Sequence, residues 1–347
     1  MISKQYKLKD MKTAYIKAIS YYLPENQLTN KDLCALFPNV SEEEIFYKSG
    51  VKTRHIASQE QTALELGIAS AKTLFQEYDI SPNEIDFLIF CTECYEFPAP
   101  AASCVMQDLL KIPKSAGAMD IHLGCSGFVY GLSVAKALIL SEQASNILFI
   151  TSEIETRVLH PNDLNLRMIF GDGSAATLIS GKQNTNTPLI GQTIFGTDGA
   201  GHKHLQVPQS GFRNPITKEW LETYQDVGGM PNGKMVMNGQ EILIFTLKVV
   251  PTLVNNLLEK AGLNVNQIDK FVFHQANAYL LEVLRKKMAI PKEKYIIHLE
   301  NIGNTVSSTI PIALKEALKT GQIKPGERCL IAGFGIGFSW AGAIIYL

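Results

Sequence analysis

The sequence predicts a layered α/β protein assembled from two copies of one unit. Three observations carry this reading: short β-rich apolar runs, helical stretches between them, and an internal repeat. The runs are DFLIFC (86–91), SNILFI (145–150), ATLI (176–179), KFVFH (270–274), CLIAGF (329–334) and AGAIIYL (341–347). Each is four to seven residues long with turn residues nearby, as in strands buried on both faces of a sheet.

Between the runs, ALELGIASAKTLFQEY (63–78) places Leu66, Ile68, Ala69, Ala71 and Leu74 near one broad face. GQEILIFTLKVVPTLVNNLLEKAG (239–262) forms a second helical stretch, which Pro251 is expected to kink or break. Strand and helix signals in alternation specify layers.

The repeat is read from three matches in one order. Asn83, Ile85, Asp86 and Phe90 recur as Asn266, Ile268, Asp269 and Phe273, at a constant offset of 183. Gly124 and Cys125 recur as Gly303 and Asn304, at an offset of 179. GDGSAATLI (171–179) then resembles GFGIGFSWAGAII (333–345). A fixed order and a near-constant offset indicate duplication. Residues 195–237, rich in Gly and Pro, read as loops over the rim of the core that shape substrate entry.

Composition narrows the function. The 347 residues are 46% hydrophobic and 19% charged, with a formal net charge of −1. So balanced a charge exerts no pull on nucleic acid or an anionic membrane. Arg285, Lys286 and Lys287 read as a solvated helix face. No signal peptide or membrane-length apolar run is read, so the six cysteines are expected to be reduced, in the cytoplasm. Residues 1–10 read as an extension ahead of a first strand starting at Met11.

Three residues can do chemistry together. Cys125 lies in LGCSGF, between the strand-like AMDIH and the helical VYGLSVAKALIL. A thiol at a helix start is expected to be favoured as thiolate by the first-turn N–H groups and the helix dipole. His274 ends a buried strand, facing the crevice where α/β proteins bind ligands. Asn304 stands in a Gly/Asn turn feeding SSTIPIALKEAL. Duplication places the Cys125 and Asn304 turns opposite each other and brings His274 alongside. A Cys, a His and an Asn in one crevice suit acyl transfer. The pair Cys91 and Cys94 has no second Cys-x-x-Cys and no close His pair, and a packing role is expected rather than metal or redox chemistry.

Cys125 in LGCSGF, His274 in HQAN, Asn304 in GNT and the terminal GFGIGFSWAGAII together resemble β-ketoacyl-acyl-carrier-protein synthase III and its relatives in the thiolase superfamily. KSGVKTRHIA (48–57) and IFGDGSAATLI (169–179) extend the resemblance over nearly the whole chain from Met11. The resemblance implies a thiolase-like five-layer αβαβα fold, halves at 11–185 and 186–347, and a homodimer. It implies a catalytic set of Cys125, His274 and Asn304, with oxyanion donors in the backbone N–H groups of Cys125 and Ile336. Arg54, Lys48, Asn277 and Phe334 fall at substrate-binding positions.

The substrates implied are an acyl-CoA or acyl-carrier thioester and a malonyl-carrier thioester. Acyl carrier protein is the implied partner, and neither a cofactor nor a metal is expected. Relatives primed by acetyl-CoA clasp the nucleotide with a tryptophan and arginines. The matching positions here are Glu44, Lys48, Leu164 and Tyr279, which implies a weaker hold on that nucleotide. A non-condensing acyltransferase and a catalytically inactive scaffold remain the other readings.

Overall fold

The computed structural model describes residues 13–182, 188–209, 211–219 and 234–347. The proposed start at Met11, and Gly228, Gly229, Pro231 and Gly233 of the glycine-rich segment, lie outside the described residues.

The first half contains strands β1 (Tyr15–Tyr22), β2 (Asn26–Thr29), β3 (Thr53–Ile56), β4 (Phe87–Cys91), β5 (Gly117–Ile121), β6 (Asn146–Glu153) and β7 (Gly173–Ser180). Its helices are α1 (Asn30–Leu36), α2 (Glu42–Ser49), α3 (Ala63–Tyr78), α4 (Ala102–Leu109), α5 (Gly127–Leu140) and α6 (Leu164–Arg167). The second half contains β8 (Leu189–Thr197), β9 (Leu205–Gln206), β10 (Val236–Met237), β11 (Lys270–Phe273), β12 (Tyr295–Ile296), β13 (Arg328–Gly335) and β14 (Ser339–Tyr346). Its helices are α7 (Gly239–Ala261), α8 (Ala278–Lys287) and α9 (Thr309–Lys319).

Ten of these strands run side by side in the order β12-β11-β13-β14-β8-β1-β7-β6-β4-β5. β1 and β8 meet only at their ends, Tyr15 opposite Leu189, and this junction divides the ten strands into a first sheet outward from β1 and a second outward from β8. On each side of that junction the connectivity is the same. Outward from β1 there are two antiparallel pairings, then two parallel ones. Outward from β8 the same sequence of pairings recurs.

Three apolar clusters define the layers. The central one joins α5 (Phe128, Leu132) and α9 (Ile310, Leu314) to residues of both sheets, such as Ile89 and Ile331. Leu66 and Leu74 of α3 and Met106 of α4 cover the outer face of the first sheet. Leu253 and Leu257 of α7 and Leu281 of α8 cover that of the second. Helices, sheet, helices, sheet, helices make five layers. Fully burying one such leucine is worth about 1.5–3 kcal/mol, so each face is strongly specified.

Local sequence explains the element ends. Thr62 and Glu65 form a capping box at the start of α3, which ends at Asp79 in the left-handed conformation. Its buried face runs through Ala63, Leu66, Gly67, Ser70, Ala71 and Leu74, leaving Ile68 and Ala69 at the margin. Pro251 does not break α7, which is one helix. The roughly 3 kcal/mol that an interior proline costs is outweighed by burial of Val250, Leu253, Val254 and Leu257 around it. At 23 residues, α7 is also long and apolar enough to cross a bilayer by length and composition, contrary to the sequence reading. In this fold those apolar residues are spent on the core of the second half.

The segment from 195 is more ordered than its glycines suggest. β8 continues to Thr197, and β9 pairs with β10. Edge pairing with β14 keeps Phe195 and Gly196 extended, a tertiary effect that single-strand patterning does not show. On α8, Glu282 takes a bidentate bond from Arg285, at 2.7 Å on both oxygens, and lies 3.5 Å from Lys286.

Candidate active site

Cys125 lies in the turn between β5 and α5 and is 7% exposed. The turn is closed by Gly127 N–H donating to the Gly124 carbonyl at 2.8 Å. The helix begins at Gly127, and Ser126 stands at its N-cap position with its hydroxyl turned to Ser339 Oγ at 2.7 Å, so the thiol precedes the first turn. The expected thiolate-favouring setting is reversed. Burial pushes the Cys125 thiol well above its ordinary value, and the neighbouring Glu93 charge adds to this. The backbone N–H of Ile336 reaches the sulfur and pulls in the opposite direction. Gly335 makes the approach possible, since a Cβ there would fall 2.8 Å from Cys125 Sγ.

His274 follows β11 directly, and its N–H extends the ladder to the Ala332 carbonyl at 2.8 Å. The ring is 2% exposed. It packs edge-on to Phe334, with centroids 5.8 Å apart, and its Nδ1 lies 2.8 Å from Thr309 Oγ1. Burial lowers its pKa to about 3, so it is neutral near pH 7.

Asn304 is held by both halves. Its N–H donates to the Ile169 carbonyl at 2.9 Å, and its carbonyl accepts from Gly171 N–H at 3.0 Å. Its Oδ1 accepts from Val306 N–H at 2.8 Å, which leaves the side-chain NH₂ for a ligand. Gly303 adopts φ +82°, and a Cβ there would meet the Ile169 carbonyl oxygen at 3.0 Å. The GNT turn therefore needs its glycine.

Cys125, His274 and Asn304 line one cavity of about 190 Å³. Asn277 and Phe334 also line it. Asn277 caps α8 by accepting from Leu280 N–H at 2.8 Å, so it serves helix and wall together. Leu205 and Met237, from the β9–β10 pair, complete the wall where the sequence suggested loops.

Arg54 is placed elsewhere, which corrects the substrate-binding reading. Its side chain is fully buried, and its guanidinium donates to the Met168 and Val51 carbonyls and to Asn30 Oδ1. Five fixed donors make it a clamp for the turn before β7. Lys48 is exposed in the last turn of α2 and lies outside the cavity wall. Solvating its ammonium costs nothing there, and the wall is built mostly of apolar side chains. Glu44 closes the capping box with Ser41. Tyr279 lines both the catalytic cavity and an outer groove of about 1040 Å³ shared with Phe46 and Tyr47.

Sequence reasoning missed a group of acids on the other side of the thiol. Glu93, half-buried, lines a cavity of about 600 Å³ together with Glu155 and Ile336. Burial raises the pKa values of all three acids, Glu93, Glu153 and Glu155; the Glu155 charge adds to this at Glu93, the Glu155 and Glu93 charges at Glu153, and the Asp172 charge at Glu155. Glu153 accepts from Ser307 Oγ at 2.6 Å, Thr92 Oγ1 at 3.2 Å and Glu93 N–H at 3.0 Å. The available signal was a glutamate closing a strand with an apolar centre, NILFITSE. Cys91 is buried and donates to the Leu123 carbonyl at 3.1 Å, whereas the Cys94 sulfur lies among the Glu153 and Glu155 oxygens, all within 4.8 Å of one another.

Comparison with known proteins follows the same lines. Residues 119–199 match the family model of 3-oxoacyl-[acyl-carrier-protein] synthase III, and 258–347 match the model of its C-terminal part. The chain is 33% identical over 324 residues to a β-ketoacyl-[acyl-carrier-protein] synthase III of Caldanaerobacter subterraneus subsp. tengcongensis, covering 93% of this chain and 95% of that one. It is 31% identical to the protein of that name from Clostridium acetobutylicum, over 96% of this chain and 99% of that one. A 3-oxoacyl-(acyl-carrier-protein) synthase III crystal structure superposes with TM-score 0.92 at 39% identity, covering 96% of this chain and all of that one.

Fold and comparisons thus define a thiolase-like acyltransferase of the condensing kind. More narrowly, the chain belongs to the β-ketoacyl-[acyl-carrier-protein] synthase III family.

Proposed function

We propose that Cys125 takes an acyl group from a thioester and that the acyl-enzyme then condenses with malonyl-acyl-carrier protein, releasing CO₂ and a β-ketoacyl thioester. The observation that carries this is the meeting of Cys125, His274 and Asn304 in one small cavity. The thiol is held protonated by burial, so it needs a base, and the His274 imidazole on the same cavity wall is the one at hand. Backbone N–H groups of Cys125 and Ile336 receive the oxyanion of the tetrahedral intermediate. His274 and the Asn304 NH₂ then donate to the enolate oxygen formed as CO₂ leaves. Two neutral donors stabilise that charge without delivering a proton to the carbanion.

The halves 11–185 and 186–347 are proposed as copies of one unit, supported by the repeated strand connectivity. A homodimer in the cytoplasm, with acyl carrier protein as partner and no cofactor, completes the proposal. Glu44 in a capping box and Lys48 away from the cavity wall offer neither a stacking surface nor an arginine fork. This supports a primer delivered on a carrier protein or by a dedicated donor over acetyl-CoA.

Incubation with a panel of acyl-CoA and acyl-carrier thioesters, read by intact mass, is expected to load one acyl group on Cys125. CO₂ release is expected only when malonyl-carrier protein follows. An unlabelled protein would instead be an inactive scaffold, and turnover without malonyl thioester would make it a non-condensing acyltransferase.

A further inference from the structure

We infer that Thr309 is the positioning residue that keeps both tautomers of His274 available, one for each half-reaction. Thr309 opens α9, and its Oγ1 lies 2.8 Å from His274 Nδ1 and 2.9 Å from the Val306 carbonyl oxygen. A hydroxyl carries one proton and two lone pairs. It can therefore donate to Val306 and accept from Nδ1–H, or turn and donate to a bare Nδ1. Turning leaves nothing orphaned, because the Val306 carbonyl also accepts the Thr309 backbone N–H. Both arrangements satisfy Nδ1 in a place where an unpaired polar atom is costly, since Thr309 is 3% and His274 2% exposed. The Val306 carbonyl also reaches the imidazole and favours a ring N–H, whereas the Thr309 hydroxyl can instead donate to a bare Nδ1.

The inference rests on the role proposed above for His274. Acylation needs a lone pair on Nε2 to take the Cys125 thiol proton. The sulfur–carbonyl bond forms, the thioester bond to the donor breaks, and the departing thiolate leaves with that proton as a thiol. The ring is then neutral with its proton on Nδ1. Condensation needs Nε2–H as a donor to the enolate oxygen. Between the two, one proton leaves Nδ1 for water and one returns from water to Nε2, while the Thr309 hydroxyl turns from Val306 to Nδ1. Asn304 needs no such exchange, because its amide is fixed by Val306 N–H.

The test is ¹⁵N NMR of ring-labelled His274 in full-length protein, free and after iodoacetamide alkylation of Cys125, which removes the thiol proton and places a carbonyl in the cavity. The free protein is expected to show Nδ1–H and the alkylated protein Nε2–H. The same tautomer in both forms overturns the inference. Thr309→Ser is expected to keep the exchange and turnover within about threefold, whereas Thr309→Val loses the exchange and at least about tenfold in kcat with little change in KM. An equal loss in both variants would make Thr309 a packing residue and overturn the proposal. A Thr309→Val variant that still exchanges tautomers, or that turns over normally, likewise overturns the inference.

Discussion

The ends of β4 and β11 occupy matching places in the two sheets, but their chemistry differs. The first ends at Cys91, a buried thiol bonded to the Leu123 carbonyl and near the Glu153 and Glu93 charges. The second leads into His274, whose surroundings are neutral: Phe334, Thr309 and the Asn304 carboxamide nearby on the cavity wall. The matching turns differ likewise, with a thiol at Cys125 and an amide at Asn304. One scaffold thus presents an acid-lined side that keeps a thiol protonated and a neutral side that offers hydrogen-bond donors. What a residue does in this protein follows from its surroundings more than from its residue type or its place in the strand.

Substitutions can break that comparison. Cys125→Ala is expected to abolish the acyl-enzyme in intact mass, while Cys91→Ala retains it. Labelling that survives in the first or disappears in the second would reverse the assignment of the two thiols. Asn304→Ala is expected to slow CO₂ release by about 10²–10³-fold, the usual cost of one oxyanion donor. Acylation measured separately should change by no more than about threefold, and an equal fall in both steps would contradict a donor acting only on the enolate. Gly335→Ala places a methyl group against the sulfur and is expected to cost about 10²-fold in acylation, in line with an ångström-scale misplacement. Unaltered acylation would show that the turn yields easily.

The smallest effect sharpens the electrostatic half of the comparison. Glu93 has a raised folded-state pKa, so above the ordinary carboxylate value of 4.5 the folded protein binds more protons than the unfolded chain. Its contribution to stability is complete below that value and is lost as pH rises through the folded-state pKa. Glu93→Gln is expected to flatten this decline in urea unfolding between about pH 5 and 8. His274 has the opposite sign: its lowered pKa costs stability as pH falls below the ordinary histidine value of 6.5. A decline as steep in Glu93→Gln as in the parent would place the raised acid elsewhere, on Glu153 or Glu155.

Much of this was legible in the amino-acid sequence alone. Apolar runs bounded by turns located the strands, α3 was read to its exact ends, and the Gly-Cys and Gly-Asn turns stood out as repeated features. These are local signals, set by side-chain periodicity and by backbone angles that few residues adopt. Only the tertiary structure decided the rest. It made Arg54 a clamp instead of a substrate ligand, kept α7 whole across Pro251 and ordered β8 by pairing it with β14. It also surrounded Cys125 with acids and set Thr309 against His274. Those outcomes depend on burial and on partners far away in the chain, and both the cost of a buried charge and the direction of a hydroxyl proton are fixed only once the layers have closed.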